Sequence, residues 1–188
     1  MRRIIRRYIL AALCVCALVC AAGQSGVWLD VPFIKQEKNG CGAASIAMVM
    51  QFWQRQQGTP LNADSDAPQI QRVLYSRPAH GIYASDLKDY FQQHGYQAFA
   101  FEGGQADLEQ HLAKGRPLVV ALKPSGGAPL HYVVVVGLDP QNHLVLLNDP
   151  AERKLLKQEF ASFQKQWKGA GNWTLLAVPG SESATSAR

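Results

Sequence analysis

The sequence predicts an α+β fold, with helices early in the chain and an antiparallel sheet late. Three observations carry this. Apolar residues recur with helical spacing in several segments between residues 43 and 94. Three apolar strand candidates follow one another closely between residues 117 and 147. The last two of these are joined by Asp139-Pro140-Gln141-Asn142, a turn composition that makes them an antiparallel hairpin. A run of helices followed by a run of strands is the α+β pattern.

The elements follow in order. Residues 28–34 are extended, and Pro32 marks them as an edge or non-sheet segment. Residues 43–54 form a helix with Ile46, Val49, Met50 and Trp53 on one face. Residues 56–66 are polar, hold Gly58 and Pro60, and read as a loop. A second helix is predicted at 67–75, and a third at 86–94, capped by Ser85 and stopped by Gly95. A strand is predicted at 96–101 and a short helix at 107–114, ended by Gly115. Strands at 117–123, 131–138 and 143–147 come next, then a helix at 159–168 and a closing strand at 173–178.

The chain opens with a leader. Arg2, Arg3, Arg6 and Arg7 form a positive region, and residues 9–22 are an unbroken apolar stretch ended by Gly23-Gln24-Ser25-Gly26. This is the layout of a bacterial secretory signal peptide over residues 1–23, too short for a permanent membrane span. It predicts a mature protein in the periplasm or outside the cell. Cys20 offers a second outcome, a membrane lipoprotein, although Val19 stands before it where a small residue is expected. Residues 24–179 then make one domain, and 180–188, small and polar, a disordered tail.

Charge excludes one class of partner. Of 19 Lys+Arg against 14 Asp+Glu, four arginines lie in the leader, so the mature chain carries 15 − 14, or +1. No dense basic patch with interleaved aromatics appears, which argues against nucleic-acid binding.

Cys41 is the most informative residue. Cys14, Cys16 and Cys20 all lie in the leader, which leaves Cys41 without an internal disulfide partner. It is flanked by Gly40 and Gly42 where a loop turns into a helix. A helix N-terminus offers unpaired N–H groups and partial positive charge, and both favour thiolate over thiol. A thiol nucleophile needs a base, the base an orienter, and the developing oxyanion donors. Among the five histidines, His94, His111 and His143 read as solvated, and His80 as a reserve base in a loop. His131 opens the apolar strand Tyr132-Val133-Val134-Val135-Val136, so the sheet fixes it at the mouth of a cleft. Asp149 lies about as far beyond the hairpin turn as His131 lies before it, which sets the two roughly opposite. Its neighbour Asn148 faces the other way. Gln36, just upstream of Cys41, can join the Cys41 backbone N–H as an oxyanion donor.

The segments Val31-Pro32-Phe33-Ile34-Lys35-Gln36, Cys41-Gly42-Ala43-Ala44, His131-Tyr132-Val133-Val134 and Asn148-Asp149-Pro150 together resemble the bacteriocin-processing cysteine peptidases. That resemblance implies a papain-like cysteine peptidase fold, with N-terminal helices packed on an antiparallel sheet. It implies Cys41 as nucleophile, His131 as base, Asp149 as orienter and Gln36 as oxyanion donor. It implies a peptide or protein substrate, in this family leaders cut after a double glycine, and a secretion system as partner. No cofactor or metal is called for. Two departures stand out: transporter domains are missing, and Gly40 occupies a position where leader-processing members usually carry aspartate. The chain therefore reads as a stand-alone exported relative. The alternatives are a non-catalytic peptide-binding module and a related thiol acyltransferase or amidase with the same triad.

Overall fold

A computed structural model describes residues 26–126 and 128–180. The leader read at 1–23, Cys20 within it, and residues 181–188 of the expected tail lie outside the described residues.

The order is β1 (Val27–Trp28), α1 (Cys41–Gln57), a 3₁₀ turn (Ala63–Ser65), α2 (Ala67–Leu74), α3 (Ala84–Gln93), β2 (Tyr96–Glu102), α4 (Gln105–Ala113), β3 (Leu118–Leu122), β4 (His131–Asp139), β5 (Leu144–Asn148), β6 (Leu156–Glu159), α5 (Phe160–Gly169) and β7 (Trp173–Pro179). Strands run β2-β7-β3-β4-β5-β6 across one sheet, with β1 added against β4, and every pairing is antiparallel. This is the α+β, papain-like arrangement expected.

β4 is the centre of the molecule, and its side chains alternate between two cores. Tyr132, Val134 and Val136 face Ile46, Val49 and Met50 of α1 and Leu87 and Phe91 of α3. Val133 and Val135 face Leu108 and Leu112 of α4 and Phe163 and Trp167 of α5. Each large apolar side chain buried this way contributes roughly 1.5–3 kcal/mol. α1 is buried on nearly all sides through Met50, so the sheet and its neighbouring helices fix where its N-terminus points. Its far end stops at Gly58, at φ +66°.

Gly137 lets β1 in. A Cβ there would stand 2.5 Å from the Val27 carbonyl oxygen and 2.8 Å from both Leu146 and Trp28. Close by, the β4–β5 register shifts between Val135 and Gly137.

Three local expectations are corrected. Ser85 does not cap α3: Tyr83 holds that position, and the Ser85 hydroxyl donates to Asp86 at 3.1 Å. The strand β6 was not predicted. Its sequence Leu-Lys-Gln-Glu has one apolar residue, because it lies at the sheet edge with its outer side in water. His111 is not simply solvated either, since its Nδ1 is buried beside Phe101.

Candidate active site

The segment entering α1 is strapped across the end of the sheet. Leu29 N–H donates to Val136 at 2.8 Å, the Asn148 side-chain amide donates to Val31 O at 3.1 Å, and Gln36 N–H donates to Pro150 O at 2.9 Å. Asn148 is fully buried and also accepts from Leu155 N–H at 3.1 Å. It is a structural brace and is not free to orient a histidine. Asn39 turns the chain with φ 58°, and Gly40 then caps α1 without any side chain. Cys41 is thus the first helical residue, with no first-turn carboxylate to compete for the positive end of the helix.

The Gly40 departure has a physical reason. A Cβ at this position would stand 2.3 Å from the Gln71 side-chain oxygen and 3.1 Å from Glu37 O. Gln71, reaching over from α2, donates to Lys38 O at 2.9 Å and so holds the loop before the thiol. Gly40→Asp is expected to evict Gln71 and lower peptide hydrolysis about ten- to a hundred-fold by shifting Cys41. With Gln71 already displaced, adding Gln71→Ala is expected to cost little more. Steady-state rates of the two variants check it; additive losses would refute the account.

His131 opens β4, and its Nε2 lies 2.7 Å from Asp149 Oδ1. With Nε2 engaged, Nδ1 is the nitrogen left to interact with the Cys41 thiol across the cleft they share. The route to Asp149 differs from the expected one. The β4–β5 ladder ends at Val134 opposite Asn148, so Asp149 is not directly across from His131. It stands one residue past the strand, in a turn where Oδ1 also accepts Ala151 N–H at 2.9 Å. The register shift in β4 and that turn swing the carboxylate back to the imidazole.

Electrostatics follow from this geometry. Burial would raise the Cys41 thiol, but the hydrogen bond from His131 and the N–H groups of Tyr132 and Gly42 outweigh it and hold the thiol below its ordinary value. For His131, burial works against the charged form, yet hydrogen bonds to Asp149 and Cys41 lift its pKa to about 9. Burial opposes charge on Asp149 too; the His131 contact and the N–H groups of Ala151 and Glu152 bring its carboxyl below the usual range. The contacts among the three groups thus favour the charged form of each.

Cys41 and His131 open onto a cleft of about 550 Å³. Gln36 stands in its wall, and the buried end of its amide is Oε1. Ile82, Tyr83 and Leu130 supply apolar surface, and Tyr83 and Leu130 are about half exposed. His80 sits on the rim with φ 49°, away from the Asp149 contact. His94 stacks on Tyr90, and His143 lies exposed in the hairpin turn. Trp53 is no part of the cleft: its indole donates to Ala177 O at 2.9 Å. The contribution of the Tyr132 backbone to lowering the Cys41 thiol was not foreseen, since a backbone donor leaves no mark in a sequence.

A thiol at the start of a central helix, facing an imidazole at the start of a sheet strand, is the layout of the papain-like cysteine peptidases. The chain belongs to the Peptidase_C39 like family, which matches it over residues 28–175. Similar solved structures include a C39-like peptidase from Bacillus anthracis, at TM-score 0.65 and 19% identity, covering 82% of this chain and 98% of that one. The peptidase domain of Streptococcus ComA, a bifunctional ABC transporter involved in quorum sensing, aligns at TM-score 0.60 and 18% identity over 79% of this chain and 98% of that one. A double-glycine-motif protease from an AMS/PCAT transporter, in complex with its leader peptide, aligns at TM-score 0.60 and 21% identity over 84% and 96%. No curated protein matches the sequence. The protein is a cysteine peptidase by family and fold.

Proposed function

We propose that this peptidase cleaves an exported or leader-bearing peptide outside the cytoplasm, with Cys41 as nucleophile, His131 as base and acid, Asp149 as orienter and Gln36 as oxyanion donor. The observation that carries this is the placement of Cys41 and His131 on one cleft, with His131 Nε2 held 2.7 Å from Asp149 Oδ1. The Cys41 thiolate adds to the scissile carbonyl, and the oxyanion is met by the Cys41 N–H and the Gln36 side-chain amide. The imidazolium of His131 gives its Nδ1 proton to the departing amine, leaving a thioester on Cys41. Water, deprotonated by His131, then releases the acid and restores the Cys41 thiolate beside the His131 imidazolium. Asp149 keeps the proton on Nε2 throughout and so leaves Nδ1 to face the reaction.

A peptide substrate is supported by the family, and the leader-peptide class by the bound leader of the AMS/PCAT protease. Export rests on the leader at 1–23. The test incubates the secreted chain with peptides carrying a double-glycine segment and with a random peptide library. Cleavage after the glycine pair, blocked by iodoacetamide, is expected. Cleavage elsewhere would replace the leader class with another, and no thiol-dependent cleavage would end the reading.

A further inference from the structure

His131 separates two cavities. One is the cleft that holds Cys41 and Gln36. The other, about 370 Å³, lies on the far side of the imidazole and is bordered by Asp149, Glu152, Gln158 and Gln166. Among the bordering residues only His131 and Pro124 belong to both. The sheet explains the division. Alternation along β4 puts position 131 on the face of Val133 and Val135, which α5 covers, whereas Cys41 arrives on α1 from the opposite face. The imidazole therefore stands at the end of the sheet, between the two layers.

Resting on the peptidase reading above, the geometry points to this second cavity as the site for the residues that follow the scissile bond, with a preference for a basic side chain there. The direction is fixed by the proton. The carbonyl carbon must meet the Cys41 sulfur with its oxygen toward Gln36. The departing nitrogen must take its proton from His131 Nδ1 as the C–N bond breaks. The acyl portion thus lies on the Gln36 side of Cys41, the departing nitrogen stands against Nδ1 in the same cleft, and the chain beyond it runs past the edge of the imidazole, along the shared border at Pro124, to the second cavity.

The chemistry of its walls sets the preference. Gln158 and Gln166 offer amide groups to a peptide backbone. Glu152 adds a carboxylate at the rim, and among the described residues no lysine or arginine borders the space. Lys123, next to the border residues Leu122 and Pro124, is exposed and does not itself border the space. The Asp149 charge is answered by His131. Glu152 is left as the uncompensated charge that an arriving side chain would meet.

The experiment uses the full secreted chain and internally quenched peptides that differ only in carrying Lys or Glu at each of the first three positions after the bond. A coumarin amide that ends at the scissile carbonyl serves as the reference for each variant. Wild type is expected to favour Lys over Glu at one of these positions by about five-fold, the scale of one partly exposed charge pair. Glu152→Gln is expected to flatten the ratio, and Glu152→Lys to reverse it. A ratio unchanged by both variants, while the peptides are still cut, would overturn this assignment and leave the peptidase reading standing. Equal loss on the peptides and the coumarin amide would also overturn it, because Glu152 would then act on the site as a whole. No thiol-dependent cleavage of any peptide would remove both.

Discussion

Cys41→Ala is expected to lower peptide hydrolysis by at least about a thousand-fold while the fold stands. The large effect follows from covalency: no other group near the cleft can form the acyl-enzyme, because Cys41 is the one cysteine among the described residues. The small structural effect follows from placement. Cys41 occupies the first position of α1, where alanine is well tolerated, and it packs only at the margin of the core formed by Ile46 and its neighbours. Cys41→Ser sharpens the test. It keeps a side chain able to bond to His131 but not a group that ionises near neutral pH, so it should be nearly as inactive as alanine. kcat/KM on any accepted peptide, with thermal melting as the control for folding, checks both variants. Wild-type rates in either would refute the nucleophile.

Much of this fold was legible in the sequence because its signals are local. The helical period of α1, the glycine stop after α3 and the turn at Asp139–Asn142 each report their own element. The valine run of β4 announced a strand buried on both faces. β6 was not legible, because an edge strand flanked by solvent needs no apolar pattern. The Ser85 cap failed because its hydroxyl found the adjacent carboxylate of Asp86 rather than an open backbone N–H. The site shows the same division. Cys41 and His131 sit at the starts of regular elements, and such positions can be located from pattern. The proximity of Asp149 to His131 was expected from a plain ladder. It arises instead from a register shift and a turn, features that a count of residues from the hairpin does not see. Gln71 behind Gly40 is a contact between residues 31 positions apart, and no sequence pattern marks it.

The roles of His131 and Asp149 separate by pH. With the thiol below its ordinary value and the imidazole raised to about 9, activity should rise with pH as Cys41 ionises and fall as His131 loses its proton near pH 9. His131→Ala removes both the base and the proton donor, and is expected to cost about a thousand-fold or more. Asp149→Ala should retain roughly a hundred-fold more activity than that, because the orienter never carries the transferred proton. Asp149→Asn is the discriminating variant. Its amide oxygen can still accept from Nε2–H and from Ala151 N–H, so the ring stays oriented while the negative charge is gone. His131 then titrates lower and, with less imidazolium beside it, Cys41 titrates higher, so the active pH range narrows from both sides. Stability moves with the same linkage. A histidine raised from an ordinary 6.5 to about 9 stabilises the fold fully below the lower value, and that contribution fades as pH rises through the upper one. Asp149→Asn should therefore melt earlier than wild type near neutral pH, with the gap closing toward pH 9 and above. pH–rate profiles and melting curves from pH 5 to 10 measure both effects. An alkaline limb that does not move in Asp149→Asn would mean that another group sets it, and would leave Asp149 as a brace for the turn alone.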